Sequence, residues 1–270
     1  MAAAITGCGP DVEPRDAALE VRAYGCPPAN AARVGRATAV SVDRALTVAH
    51  TVAGAERLEV VDSRGRTRSA TLVAFDPRSD LAVLAVDAGA LPADVLPAVV
   101  ALARREPGAG ATGVLYAQRP VAVEVLRRAT VEMADIYGEG SSSRSGFELS
   151  ARVEPGASGA GLLIDGRLAG VLFAASSRRG ERAWATGLAE VRAVLAEARA
   201  GRPVDSGDCR ARASSEPVAG HVDQELGRAS GEHGDLAIRV ERDDAGVRER
   251  TGGLGRPVDA RRHERGVVAR

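Results

Sequence analysis

Three side chains in this sequence have the types and the chain order needed for acyl transfer through a hydroxyl: His50, Asp80 and Ser158. A serine hydroxyl is a weak nucleophile near neutral pH and needs a base within hydrogen-bond reach. It also needs backbone donors aimed at the oxygen that becomes charged. Ser158 sits in EPGASGAGLL (154–163), a run of small residues ahead of an apolar stretch. Gly156 and Gly159 can adopt conformations closed to other residues. The N–H groups of Gly156 and Ser158 are therefore the candidate oxyanion hole. A Gly-x-Ser-Gly loop alone is a weak signal, because Gly/Ser turns are common.

His50 lies in ALTVAHTVAGA, and the other three histidines (His221, His233, His263) fall in the C-terminal tail. A lone histidine beside an apolar run is often a packed core residue. Here Gly54 turns the chain shortly afterwards, so His50 stands at the end of an element, where functional groups tend to sit. Asp80, in DPRSDLAVLAVD, directly abuts an apolar run. Such an aspartate can be a turn residue or cap. A carboxylate partly withdrawn from water can instead hold an imidazole in one tautomer and stabilise its cation. Asp76 is the rival in the same stretch, but Pro77 marks it as a turn former. The ordered trio across a β-rich pattern is a stronger signal than any one of its members.

The elements that must position this trio read as short β-branched runs separated by Gly, Asp, Pro and Arg. LEVRAY (19–24), GRATAVSV (35–42), RLEVV (57–61), SATLVAF (69–75) and LAVLAV (81–86) form a first group. TGVLYA (112–117), VAVEVL (121–126), RATVEM (128–133), GFELS (146–150), GLLI (161–164) and RLAGVLFA (167–174) form a second. A Pro/Gly break near 105–111 divides them, which predicts two small packed β-barrels, about 19–105 and 110–187. The period then changes: Leu188, Val191, Val194 and Leu195 predict an amphipathic helix over 188–200, stopped by Gly201 and Pro203. Residues 1–18 read as a leader and 88–103 as a linker. Residues 201–270 contain no aromatic and only 12 large aliphatics, against 13 arginines and 13 acids, so 211–270 reads as a disordered polar tail.

The 36 basic residues, all arginine, balance 36 acids, which gives no electrostatic case for a nucleic-acid partner. No run of 18 apolar residues predicts a transmembrane helix. No cysteine spacing suits zinc, and neither a metal nor another cofactor is expected. ITGC (5–8) resembles a bacterial lipobox, in which Cys8 would take a lipid anchor, although only seven residues precede it.

Taken together, the motifs resemble the trypsin-like serine peptidases. TVAHTVAGA is similar to their histidine motif and DPRSDLAVLAV to the aspartate motif of the bacterial HtrA-like branch. PGASGAGLL followed by DGRLAGVLFA is similar to the nucleophile segment and its next strand. The likeness spans about 19–200 and is nearest to actinobacterial peptidases of the periplasmic acid-resistance type. It implies a peptidase domain over 19–210, built of two six-stranded antiparallel barrels with an active site between them. It also implies endopeptidase action on proteins or peptides, with His50 as base, Asp80 as its orienting partner and Ser158 as nucleophile. Carried over by position, a disulfide joins Cys26 to Cys209, and with it goes an extracytoplasmic location. The substrate pocket would involve Arg152, Phe173 and Ala175; Phe173 can alternatively pack inside a barrel. Two residues depart from the pattern. Ala157 stands where activated trypsins carry Asp and HtrA-like members Asn, and Ala160 replaces a glycine. These departures keep a second reading open, that of a weak or inactive pseudopeptidase binding peptide segments in the cleft.

Overall fold

A computed structural model describes residues 14–26, 31–87, 99–137, 140–176, 181–209, 227–231 and 234–238. A 3-10 turn at Pro14–Ala17 leads into β1 (Ala18–Tyr24), whose Leu19, Val21 and Ala23 alternate into the core. There follow β2 (Arg33–Ser41), β3 (Arg44–Thr47), a single helical turn α1 (Ala49–Val52), β4 (Arg57–Val61), β5 (Thr67–Asp76) and β6 (Leu81–Val86). All neighbouring strands pair antiparallel in the order β1-β2-β3-β6-β5-β4, and β1 pairs back onto β4 to close a barrel. Closure removes the unpaired edges that an open sheet would expose.

The second barrel uses β7 (Thr112–Tyr116), β8 (Pro120–Ala134), β9 (Ser141–Ser150), β10 (Gly161–Ile164), β11 (Arg167–Ala175) and β12 (Arg182–Thr186). Their order is β10-β11-β12-β9-β8-β7, closed by the pairing of Leu162 with Leu115 and Leu163 with Val114. The two runs expected at 121–126 and 128–133 are one strand, β8. Its register shifts between Val125 and Arg127, so a bulge bends the strand where the sequence suggested a break. β9 begins five residues earlier than GFELS, in polar residues, and β12 (RAWAT) has too little alternation to stand out in the sequence.

Segment 99–103 stitches the barrels together. Val100 N–H donates to Ala39 O, and Ala103 N–H donates to Leu168 O. Helix α2 (Leu188–Glu197) then leaves the second barrel and lays Val191 and Val194 on the first, ending at Gly201 with φ +63°. Its cover over β5 and β6 explains why LAVLAV is apolar along nearly its whole length.

Beyond α2 the chain continues along the first barrel. Val204 N–H donates to Leu72 O, and Gly54 N–H donates to Ser206 O. Cys209 reaches Cys26 and the two form a disulfide, with a sequence separation of 183. A side chain at Gly54 would stand 2.3 Å from Cys209 N, so only glycine lets the segments meet. Replacing both cysteines by serine should lower stability by ~2–5 kcal/mol in urea titrations, since the cross-link restricts a long loop in the unfolded chain. An unchanged midpoint would mean that native contacts alone hold the terminal segment.

Cys8 and the tail histidines lie outside the described residues, as does most of 211–270. Within that tail the structure does describe a hairpin of β13 (Gly227–Gly231) and β14 (Gly234–Ile238).

Candidate active site

His50 lies in α1, directly after β3, and is buried with Ala49, Thr51 and Val52. Two bonds orient it from one carboxylate. His50 N–H donates to Asp80 Oδ1 at 2.8 Å, and His50 Nδ1 lies 2.7 Å from Asp80 Oδ2. A carboxylate only accepts, so Nδ1 carries a hydrogen, and Nε2 is the basic nitrogen of the neutral ring. Ala49 N–H adds a third link, to the Asp80 carbonyl at 3.0 Å.

The two aspartates of the β5–β6 turn divide the work. Asp76 closes the turn: Oδ1 accepts from Arg78 N–H at 2.9 Å and Oδ2 from the Ser79 hydroxyl at 2.6 Å. Asp80 adopts φ +58°, a left-handed conformation that Asp tolerates better than most residues. Burial alone would push its carboxyl up. The charges of His50 and Arg144 and the two bonds from His50 outweigh that and hold it well below the usual carboxylate range.

Arg144 is a site residue that no sequence signal announces. It lies in SSSRSG, which reads as a solvated polar run, yet its side chain is 0% exposed. From β9 of the second barrel it donates through Nε to Arg78 O at 2.9 Å and through Nη1 to Asp80 Oδ2 at 3.1 Å. Its guanidinium also lies 5.4 Å from the centre of the Phe173 ring. Phe173 thus sits in the core against Arg144. Of the other two residues expected near a pocket, Arg152 is exposed and lines a surface depression of about 350 Å³ with Gln118 and Glu154. Ala175 is half-buried at the end of β11.

Ser158 is half-buried, and its loop hangs on the first barrel. Arg36 N–H donates to Ser158 O at 2.7 Å, while Gly159 N–H donates to Leu172 O at 2.8 Å within the second barrel. Gly159 has φ +92°, and a methyl group there would stand 1.9 Å from Arg36 O. A methyl group at Gly35 would meet both the Thr51 hydroxyl (2.8 Å) and Ser158 O (3.1 Å). The serine loop and the turn bearing His50 therefore face each other across β2. Within the loop the N–H groups of Ala157, Gly159 and Ala160 donate to backbone carbonyls. Among the described residues, those of Gly156 and Ser158 have no backbone partner. Ala157 and Ala160, the two departures from the motif, are buried in the second core, and their methyl groups pack inward.

A family model described as "Trypsin-like peptidase domain" matches residues 35–171. The serine protease Rv3671c of Mycobacterium tuberculosis is 32% identical over 184 residues, covering 65% of this chain and 44% of that protein. The chain thus spans less than half the length of its curated relative. The solved active form of that protease superposes with a TM-score of 0.65 at 27% identity, over 73% of this chain and 87% of the other. The inactive form superposes with a TM-score of 0.57 at the same identity, over 69% and 90%.

Proposed function

We propose, from the premise that the chain belongs to the trypsin-like peptidase family, that it is a serine endopeptidase working through an acyl-enzyme with His50, Asp80 and Ser158 as its triad. The observation that carries this reading is the pair of hydrogen bonds that the backbone and ring of His50 make to the Asp80 carboxylate, which orients the imidazole with Nε2 as its basic nitrogen. In the first step Ser158 Oγ attacks the scissile carbonyl while His50 Nε2 takes the hydroxyl proton. Asp80 stabilises the resulting imidazolium. The N–H groups of Gly156 and Ser158 hold the oxyanion, for which the turn leaves them unpaired by backbone. His50 then gives its proton to the leaving amine. Water enters, is activated by the same imidazole and releases the acyl group.

The methyl groups of Ala157 and Ala160 are buried in the second core, which is compatible with an open site around Ser158. The Cys26–Cys209 disulfide suits an oxidising compartment, so we place the protein outside the cytoplasm.

A fluorophosphonate probe tests the reading. It should label the wild-type chain at Ser158 and fail to label Ser158→Ala or His50→Ala. Intact folded protein that never labels, yet binds unfolded casein without cutting it, would instead make the chain a peptide-binding scaffold.

A further inference from the structure

The residues just ahead of the nucleophile read Glu154-Pro155-Gly156-Ala157. Ala157 N–H donates to Glu154 O at 3.2 Å, and Gly156 has φ +83°. Proline second and a positive-φ glycine third define a type II turn. In a type I turn the same central peptide points the other way, and glycine permits both. The C=O and N–H of a trans peptide point in opposite directions. Whatever holds the Pro155 carbonyl therefore decides where the Gly156 N–H is aimed.

That carbonyl is held. Gln118 Nε2 donates to Pro155 O at 2.8 Å, reaching across from the turn that joins β7 to β8. The neighbouring Arg119 pairs with Glu154 at 3.0 Å. Both partners of that pair are well exposed, so solvent screens it and it adds little by itself. The residue before the nucleophile contributes no anchor, because Ala157 has no polar side-chain atom.

We propose that Gln118 is a positioning residue for the oxyanion hole. It holds the Pro155–Gly156 peptide in the orientation that turns the Gly156 N–H away from Gln118 and toward the reacting carbonyl oxygen. This inference rests on the serine-peptidase reading. It adds a residue from outside the triad and outside the nucleophile loop. Without Gln118, rotation of the central peptide would replace a donor by a carbonyl oxygen where negative charge develops.

The test uses the full chain, a chromogenic peptide substrate and a peptide aldehyde, whose adduct with Ser158 places an oxyanion in the hole. Gln118 is exposed, so its replacement leaves the core untouched. In Gln118→Ala and Gln118→Glu, which cannot donate, kcat and aldehyde affinity should both fall roughly fivefold, the factor for one hydrogen bond of about 1 kcal/mol. KM and Tm should stay at wild-type values. If wild type labels with the fluorophosphonate but both variants keep its kcat and aldehyde affinity, Gln118 has no such role. A rise in KM alone would make it a substrate contact and would equally overturn the proposal. A wild-type chain that never labels overturns the peptidase reading itself, and this inference with it.

Discussion

Asp80→Asn should lower kcat for peptide hydrolysis by about 10⁴-fold with little change in KM. The cause is local and can be read from the bonds Asp80 makes. Its Oδ1 accepts from His50 N–H, and its Oδ2 faces two groups, His50 Nδ1 and Arg144 Nη1. Asparagine has one oxygen for these positions. If that oxygen stays on the His50 backbone, the amide NH₂ faces Nδ1 and a guanidinium donor together. The imidazole relieves half of this conflict by moving its hydrogen to Nε2, which is the atom that must take the proton from Ser158. Geometry survives while the base is lost. Steady-state kinetics on a peptide ester and amide would check it. A loss smaller than tenfold would remove Asp80 from the triad.

Arg144→Met should destabilise the fold by ~3–5 kcal/mol at pH 7, because it leaves a buried carboxylate short of one cation. Both groups are almost fully buried, with side-chain exposures of 0% and 2%. The effect carries a pH signature. A carboxyl held below its ordinary value contributes stability that is present above about pH 4 and is lost as pH falls through the folded-state value. Arg144 is one cause of that depression in Asp80. The gap between wild type and variant should therefore be full at pH 7 and narrow below about pH 4. Urea titrations at pH 7 and pH 3 would measure it. An equal gap at both would assign Arg144 to packing against Phe173 and nothing more.

The legible parts of this molecule were those where one physical rule dominates. RLEVV, LAVLAV and GLLI coincide with β4, β6 and β10, because an apolar run between turn residues leaves few alternatives. The choice of Asp80 over Asp76 rests on adjacency to a buried run; in the structure Asp80 bonds His50 while Asp76 closes its own turn. The hidden parts were set by distant partners. SSSRS extends β9 because β8 offers a long edge, and no periodicity in five polar residues announces that. Arg144 looks like a surface charge until the first barrel supplies Asp80. Gln118 sits in a turn of Gln, Arg and Pro whose meaning depends on a carbonyl 37 residues away. In the sequence the single turn α1 shows only as the end of a strand, since four residues cannot carry a helical period.

The link between Cys26 and Cys209 also decides how the molecule would carry a mechanical load. Tension applied between the leader and the tail would enter near residue 14, pass along β1 and leave through the sulfur atoms. Every strand from β2 to β12, the helix and the three catalytic candidates lie inside the bypassed loop. A chain held at one end and tugged at the other would load only β1 of its peptidase unit, whereas a reduced chain would place every strand of it in the line of force.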